Sequence, residues 1–101
     1  MNIAKMLKEA QRMQERMAEA QSDLASRTVE ATSGGGKVHV TATGSGDIVS
    51  IKIDPQVVDP EDVELLEDLV LTAVKQALEE AKELAGSEMG KLTGGLKIPG
   101  L

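Results

Sequence analysis

The chain has no phenylalanine, tyrosine, tryptophan or cysteine among its 101 residues. Without thiols it forms neither disulfides nor thiolate zinc sites, and nothing points to a stapled, secreted scaffold. Without aromatic rings, the core must come from Leu, Ile, Val, Met and Ala, which bury less area apiece. A single domain this short already has a poor surface-to-volume ratio. A core shared between subunits, and therefore an obligate oligomer, is the first expectation. Missing rings also exclude base stacking, the usual basis of single-strand and RNA-sheet recognition. No apolar run is long enough to span a bilayer, and no apolar leader opens the chain. No membrane partner and a cytoplasmic location are expected.

Positive charge is scarce overall: 11 Lys and Arg stand against 17 Asp and Glu, for a net charge of −6. That balance argues against a generic basic DNA-coating protein. The charge is unevenly placed, however. From Met1 to Arg16, Lys5, Lys8, Arg12 and Arg16 face only Glu9 and Glu15, whereas Asp59 to Glu88 is dominated by carboxylates. The basic end is also where the hydrophobic pattern is clearest. Ile3, Met6, Ala10, Met13, Met17, Ala20 and Leu24 recur in alternating steps of three and four, an a/d seam suited to one partner helix or to a dimer contact. At about 100° per residue, the four basic residues fall within about 80° of each other and roughly 120° from that seam. A helix sealed on one side and basic on another can dock and still present charge.

Beyond this helix the period changes. Val29 and Ala31, then Val38, Val40 and Ala42, then Val49, Ile51 and Ile53 alternate with polar neighbours, and glycine clusters (Gly34-Gly35-Gly36, Gly44-Ser45-Gly46) separate the runs. Such patterning predicts a three-stranded antiparallel meander with one face wanting cover. Asp54-Pro55 closes the sheet. Asp59-Pro60 reads as a helix start, and the following helix carries a broad apolar face with Gly86 as its expected stop. The expected elements are a helix over about 2–26, strands over about 28–33, 37–43 and 48–53, and a helix over about 60–85. Residues 89–101 form an apolar Gly/Pro-rich tail, read either as a disordered end or as a hook for an apolar groove. The fold class is α+β: a single α-β-β-β-α domain in which two long helices pack as an arm beside the meander.

Catalytic constellations are missing. His39 is the only histidine and sits on the polar side of a strand without a positioned partner. Gly34-Gly35-Gly36-Lys37 lacks phosphate-loop spacing, because Ala31 and Val38 stand where glycine and a hydroxyl are needed. Asp54, Asp59, Glu61 and Asp62 lack the alternating ligands of a calcium loop and suit helix capping instead. Neither an enzyme nor a cofactor or metal site is expected. The basic stripe is the remaining signal, and it fits duplex backbone contact that is weakly sequence-selective and salt-dependent. The alternative is a protein–protein adaptor that recruits replication or repair partners through the acidic second helix and the apolar tail.

Several short motifs occur in order along nearly the whole chain. They are Met6-Leu7-Lys8-Glu9-Ala10-Gln11-Arg12-Met13-Gln14, Gly36-Lys37-Val38-His39-Val40-Thr41, and Gly44-Ser45-Gly46 ahead of Ile51-Lys52-Ile53-Asp54-Pro55. Val58-Asp59-Pro60-Glu61-Asp62, Leu66-Glu67-Asp68-Leu69 and the closing stretch from Leu92 to Leu101 complete the set. In these the chain resembles the YbaB/EbfC family of bacterial nucleoid-associated proteins. The resemblance implies a homodimer with helical arms projecting from a central sheet region. It also implies binding to double-stranded DNA in the nucleoid, with roles in chromosome organisation and gene regulation. Lys5, Lys8, Arg12 and Arg16 fall in the helix that this resemblance makes part of an arm.

Overall fold

The computed structural model describes residues 2–93. Helix α1 (Ile3–Ser26) opens where the Asn2 side chain accepts the Lys5 backbone N–H at 3.1 Å, satisfying one of the donors a helix start leaves unpaired. Its last turn leads through Arg27 directly into β1 (Thr28–Ser33), followed by β2 (Val38–Thr43) and β3 (Ile48–Ile53). The three strands pair antiparallel in the order β1-β2-β3, the meander expected from the alternation. Gly34, Gly35 and Gly36 adopt φ of 59°, 67° and 88°, values open to glycine and strained for other residues. That triplet is a hairpin turn. A short 3-10 turn (Pro55–Val57) then leads to α2 (Val63–Thr93), which crosses back over the sheet.

The core forms where α2 crosses β2. Val38, Val40 and Ala42 on the strand and Ala73 and Ala77 on the helix are all 0% exposed, with Ala31 of β1 beside them. Because the fully buried helix residues are alanines, the α2 backbone approaches the sheet closely. The Ser33 hydroxyl donates to the Leu69 carbonyl at 2.6 Å and fixes the helix at the far end of β1. From there α2 runs back along the strand, antiparallel to the path that the chain follows from α1 into β1.

Three expectations need correcting. Asp59-Pro60 does not begin the helix: Asp59 accepts the Glu61 N–H at 2.9 Å in a separate turn, and Asp62 caps α2 through the Leu65 N–H at 3.3 Å. Nor does the helix stop at about residue 85. It continues through Gly86 and Gly90 to Thr93, because a helical glycine costs only about 1 kcal/mol and Ala85, Met89 and Leu92 are partly buried on the extension. Met89 to Thr93 is therefore helix rather than tail, and the disordered-or-hook reading of residues 94–101 lies outside the described residues. Finally, β3 does not alternate cleanly. Thr41 pairs with Ser50 but Ala42 pairs with Ile48, leaving Val49 as the extra residue of a β-bulge. Directly paired residues share a face, so the bulge moves Ile48 to the same side as Ile51 and Ile53.

The molecule is long. Its radius of gyration is 19.6 Å and its extents are 71 × 28 × 16 Å, against about 13 Å for the radius of a compact chain of this size. Among the described residues, five of the eight buried hydrophobics are alanines, whereas Ile48, Val49, Ile51, Ile53, Val63, Leu65 and Leu71 stay exposed. One copy buries its small apolar side chains and leaves its large ones in water.

The α2 glycines and the glycine of the β2–β3 turn make opposite predictions. A Cβ on Gly86 or Gly90 meets nothing within 4 Å, so Gly86→Ala and Gly90→Ala should each raise unfolding stability by about 0.5–1 kcal/mol. On Gly44 a Cβ would lie 2.7 Å from the Leu24 carbonyl oxygen. Gly44→Ala should lower stability by about 1–3 kcal/mol in urea unfolding.

Candidate nucleic-acid interface

The arm begins where the ends of the two helices meet the β2–β3 turn. Gln21 and Leu24 of α1, Ala85 and Met89 of α2, and Gly44 and Ser45 of the turn line one groove of about 390 Å³. Leu24 is 3% exposed there. Arg27 ties the base of the arm together, its guanidinium 3.0 Å from Glu88 Oε1 and 3.7 Å from Asp23. Lys91 reaches the same Glu88 oxygen at 3.3 Å. These two cations hold the Glu88 carboxyl below its ordinary value, the Arg27 hydrogen bond being the larger cause and burial opposing it.

Pairing Gln21 and Leu24 with Ala85 and Met89 sets the reach of the arm. Both helices rise by about 1.5 Å per residue and run antiparallel, so α2 ends roughly level with Met17 and residues 3–16 project about 20 Å further. Lys5, Lys8, Arg12 and Arg16 all lie on that projecting length, and all four are exposed. Among the described residues the ion pairs of Lys and Arg are made by Arg27, Lys37 and Lys91, and none by these four. Glu9 and Glu15 flank the stripe on either side. Arg12 and Arg16 share a shallow cavity of about 220 Å³ with Met13 and Glu9.

No acidic residue occupies the first turn of α1. The positive end of the helix dipole therefore points outward with Lys5 and Lys8 beside it. This placement disfavours the helix by about 0.3–1 kcal/mol per charge at low salt.

The seam fares unevenly. Leu24 is buried and Ala20 and Met13 half-buried, whereas Ile3, Met6, Ala10 and Met17 are exposed. Ile3, Met6 and Ala10 are bare because α2 (Val63–Thr93) stops short of the first turns of α1. Sequence reasoning missed Arg27 and Lys91. Arg27 stands alone at a helix–strand junction, and Lys91 lies past the glycine at which the helix was expected to stop, although its spacing three residues from Glu88 was a readable helical pair.

Other candidates have ordinary explanations. His39 Nε2 lies 3.4 Å from Glu30 on the sheet face that α2 leaves open. Asp54 caps the 3-10 turn, and its carboxyl is held below its usual value by the Gln56 N–H first and by Lys37 second. Among the described residues no group of three or more His, Asp or Glu is placed to hold a metal ion. Nor, among them, is any helix long and apolar enough to cross a membrane.

An α-β-β-β-α chain that carries a helical arm with an exposed basic end defines a class of small α+β proteins built around a charged projection. The chain belongs to the YbaB/EbfC DNA-binding family, whose model matches residues 1–96. It is 54% identical over 100 residues to a nucleoid-associated protein of Pelotomaculum thermopropionicum, covering 99% of this chain and 95% of that one. A nucleoid-associated protein of Thermoanaerobacter pseudethanolicus is 58% identical over 100 residues, with 99% and 90% covered. The fold matches the crystal structure of an uncharacterized protein from Helicobacter pylori with a TM-score of 0.83 at 20% identity, covering 93% of this chain and 99% of the other.

A depressed carboxyl pKa stabilises the folded state above the unfolded value and stops doing so as pH falls through the folded one. Glu88, with an ordinary value of 4.5, should therefore help hold the base of the arm at neutral pH and release it under acid. Glu88→Gln should be less stable than the parent at pH 7, and the difference should vanish once the pH falls well below 4.5, as read by urea unfolding across a pH series.

Proposed function

We propose that two copies of this chain form a homodimer that binds double-stranded DNA, mainly through its phosphates, and acts in nucleoid organisation and gene regulation in the bacterial cytoplasm. One observation carries this reading. The four basic side chains stand exposed on the stretch of α1 that α2 does not reach, on the outward end of an otherwise acidic molecule. Phosphate oxygens are the complementary partner for such an array, and each neutralised phosphate releases condensed counterions. The chain has no aromatic residue to stack on bases. It is therefore positioned on a duplex by phosphate contacts that read little sequence. The names of the curated relatives support the setting in the nucleoid.

Homodimerisation is supported by what one copy leaves uncovered. Between α2 and β3 lies a largely apolar groove of about 440 Å³, lined by Ile53, Leu66, Val70, Leu71 and Val74 with Glu67 beside them. Ile48 and Ile51 continue it along a strand whose outer edge is unpaired among the described residues. Apolar patches of this kind mark association surfaces, and a second copy offers the same chemistry in return. The dimer doubles the number of basic stripes on one assembly.

Replacing Lys5, Lys8, Arg12 and Arg16 together with glutamine should weaken duplex binding and flatten its salt dependence. The log–log slope should fall in magnitude by about 0.9 for each phosphate that is no longer neutralised. Unchanged affinity and slope in a salt titration would acquit these residues. In analytical ultracentrifugation the parent should sediment as a dimer at micromolar concentration. Ile51→Asp should shift it toward monomer, because a charge sealed in an apolar interface has no favourable partner. A folded parent monomer at that concentration would refute the dimer.

A further inference from the structure

We infer that the projecting length of α1 pairs antiparallel with the same length of a second copy, Ile3 of each meeting Met13 of the other and Met6 meeting Ala10. The surface to be covered is well defined. Ile3 is 66% exposed, Met6 54% and Leu7 61%, all on the length of α1 that extends past the end of α2. They continue a seam whose base already holds a helix antiparallel to α1, where Gln21 and Leu24 face Ala85 and Met89 of α2. Nearer the tip, the same seam in the same direction is open to a second α1. The contact is separate from the groove between α2 and β3, and it does not require DNA.

Length selects the register. From Ile3 to Met13 the seam runs about 15 Å. With α2 ending roughly level with Met17, an antiparallel α1 whose Ile3 lies level with Met13 stops about one turn short of it. The neighbouring registers that keep the a/d layers lie about seven residues away. In one of them Ile3 would come level with Ala20 and run into α2; in the other only Ile3 and Met6 would overlap. The selected register sets large against small in its central layers, Met6 against Ala10. It also accounts for Leu7, an exposed apolar residue beside the seam rather than on it, because the two Leu7 side chains meet near the two-fold axis. Charge agrees with the direction. The positive N-terminal end of the second α1 has no acidic residue in its first turn, and it faces the negative C-terminal end of α2. Parallel pairing would set two positive ends side by side. On the other flank each Glu9 comes within about 3 Å, along the axis, of Lys5 of the second copy, which offsets the approach of the two Glu9 carboxylates. Lys8 and Arg12 stay on the outward side, so the pairing leaves basic side chains facing solvent.

The chain contains no cysteine, so every disulfide in the test comes from an introduced thiol. Full-length chains carrying Ile3→Cys and chains carrying Met13→Cys are mixed in equal amounts without DNA and mildly oxidised. The disulfide-linked pairs are then identified by mass spectrometry. The mixed disulfide should exceed each homodisulfide several-fold beyond the proportion that random pairing gives. Adding Leu7→Asp to both chains should remove that excess. Leu7 is exposed in a single copy, so this change spares the fold, and circular dichroism checks that the helices remain. In analytical ultracentrifugation Leu7→Asp should leave the micromolar dimer intact, so that failure of the arm contact and failure of the dimer at the α2–β3 groove are read separately. Homodisulfides in excess would mean parallel arms, and random proportions would mean mere collision; either would overturn the inference. An excess that appears only after the residues beyond Thr93 are removed would give the seam to the chain's own end, and would overturn it too.

Discussion

Everything in this molecule depends on how closely α2 can approach β2. Ala73 and Ala77 have no side chain beyond Cβ, and they sit against Val38, Val40 and Ala42 with no water-accessible surface left on any of the five. Dispersion between such closely packed groups is weak pair by pair and substantial in sum. Larger residues at 73 and 77 would lift the helix and open a gap along the whole sheet. The close approach also sets direction. Held at Ser33 by the bond to the Leu69 carbonyl and at its far end by Glu88 against Arg27, α2 becomes a straight spar along which α1 is aligned. The position of the basic stripe relative to the sheet follows from that alignment.

Period and punctuation made most of the architecture readable in advance. The change from steps of three and four to steps of two marked the end of α1, and the glycine clusters marked both hairpin turns. The two largest misreadings share a cause: local signals were outweighed by packing. Gly86 has the identity of a helix stop, yet Ala85, Met89 and Leu92 gain more from lying beside α1 than the glycines lose. Val49 fits a simple alternation on paper, but a bulge cannot be seen from one strand, because it exists only in the pairing of two. The basic stripe was legible as a pattern from helical geometry. Its freedom from internal pairing was not, since that depends on where α2 ends. Arg27 and Lys91 were missed for the complementary reason, their partner Glu88 lying on an element whose length had been underestimated.

Charge is unevenly placed along the long axis: four basic residues cluster at the free end of α1, while seven of the 17 carboxylates lie on α2, and exposed large apolar residues occur on α1, β3 and α2 alike. A net charge of −6 is therefore a poor guide to the field at the tip of the arm, where local charges within a Debye length of roughly 10 Å dominate. On the proposed reading, the acidic body would repel polyanions while the basic tip would attract them. That opposition would orient the molecule tip-first as it approached a nucleic acid.

The kink at Val49 bears on a hazard carried by any three-stranded sheet. Both outer strands offer free backbone groups, and a strand that matched its neighbour indefinitely would let copies add one after another into an endless ribbon. With Val49 left out of register beside Ala42, the rim of β3 is regular only over its second half, and Glu30 places a charge on the opposite rim. Growth into a filament by strand addition is thereby discouraged.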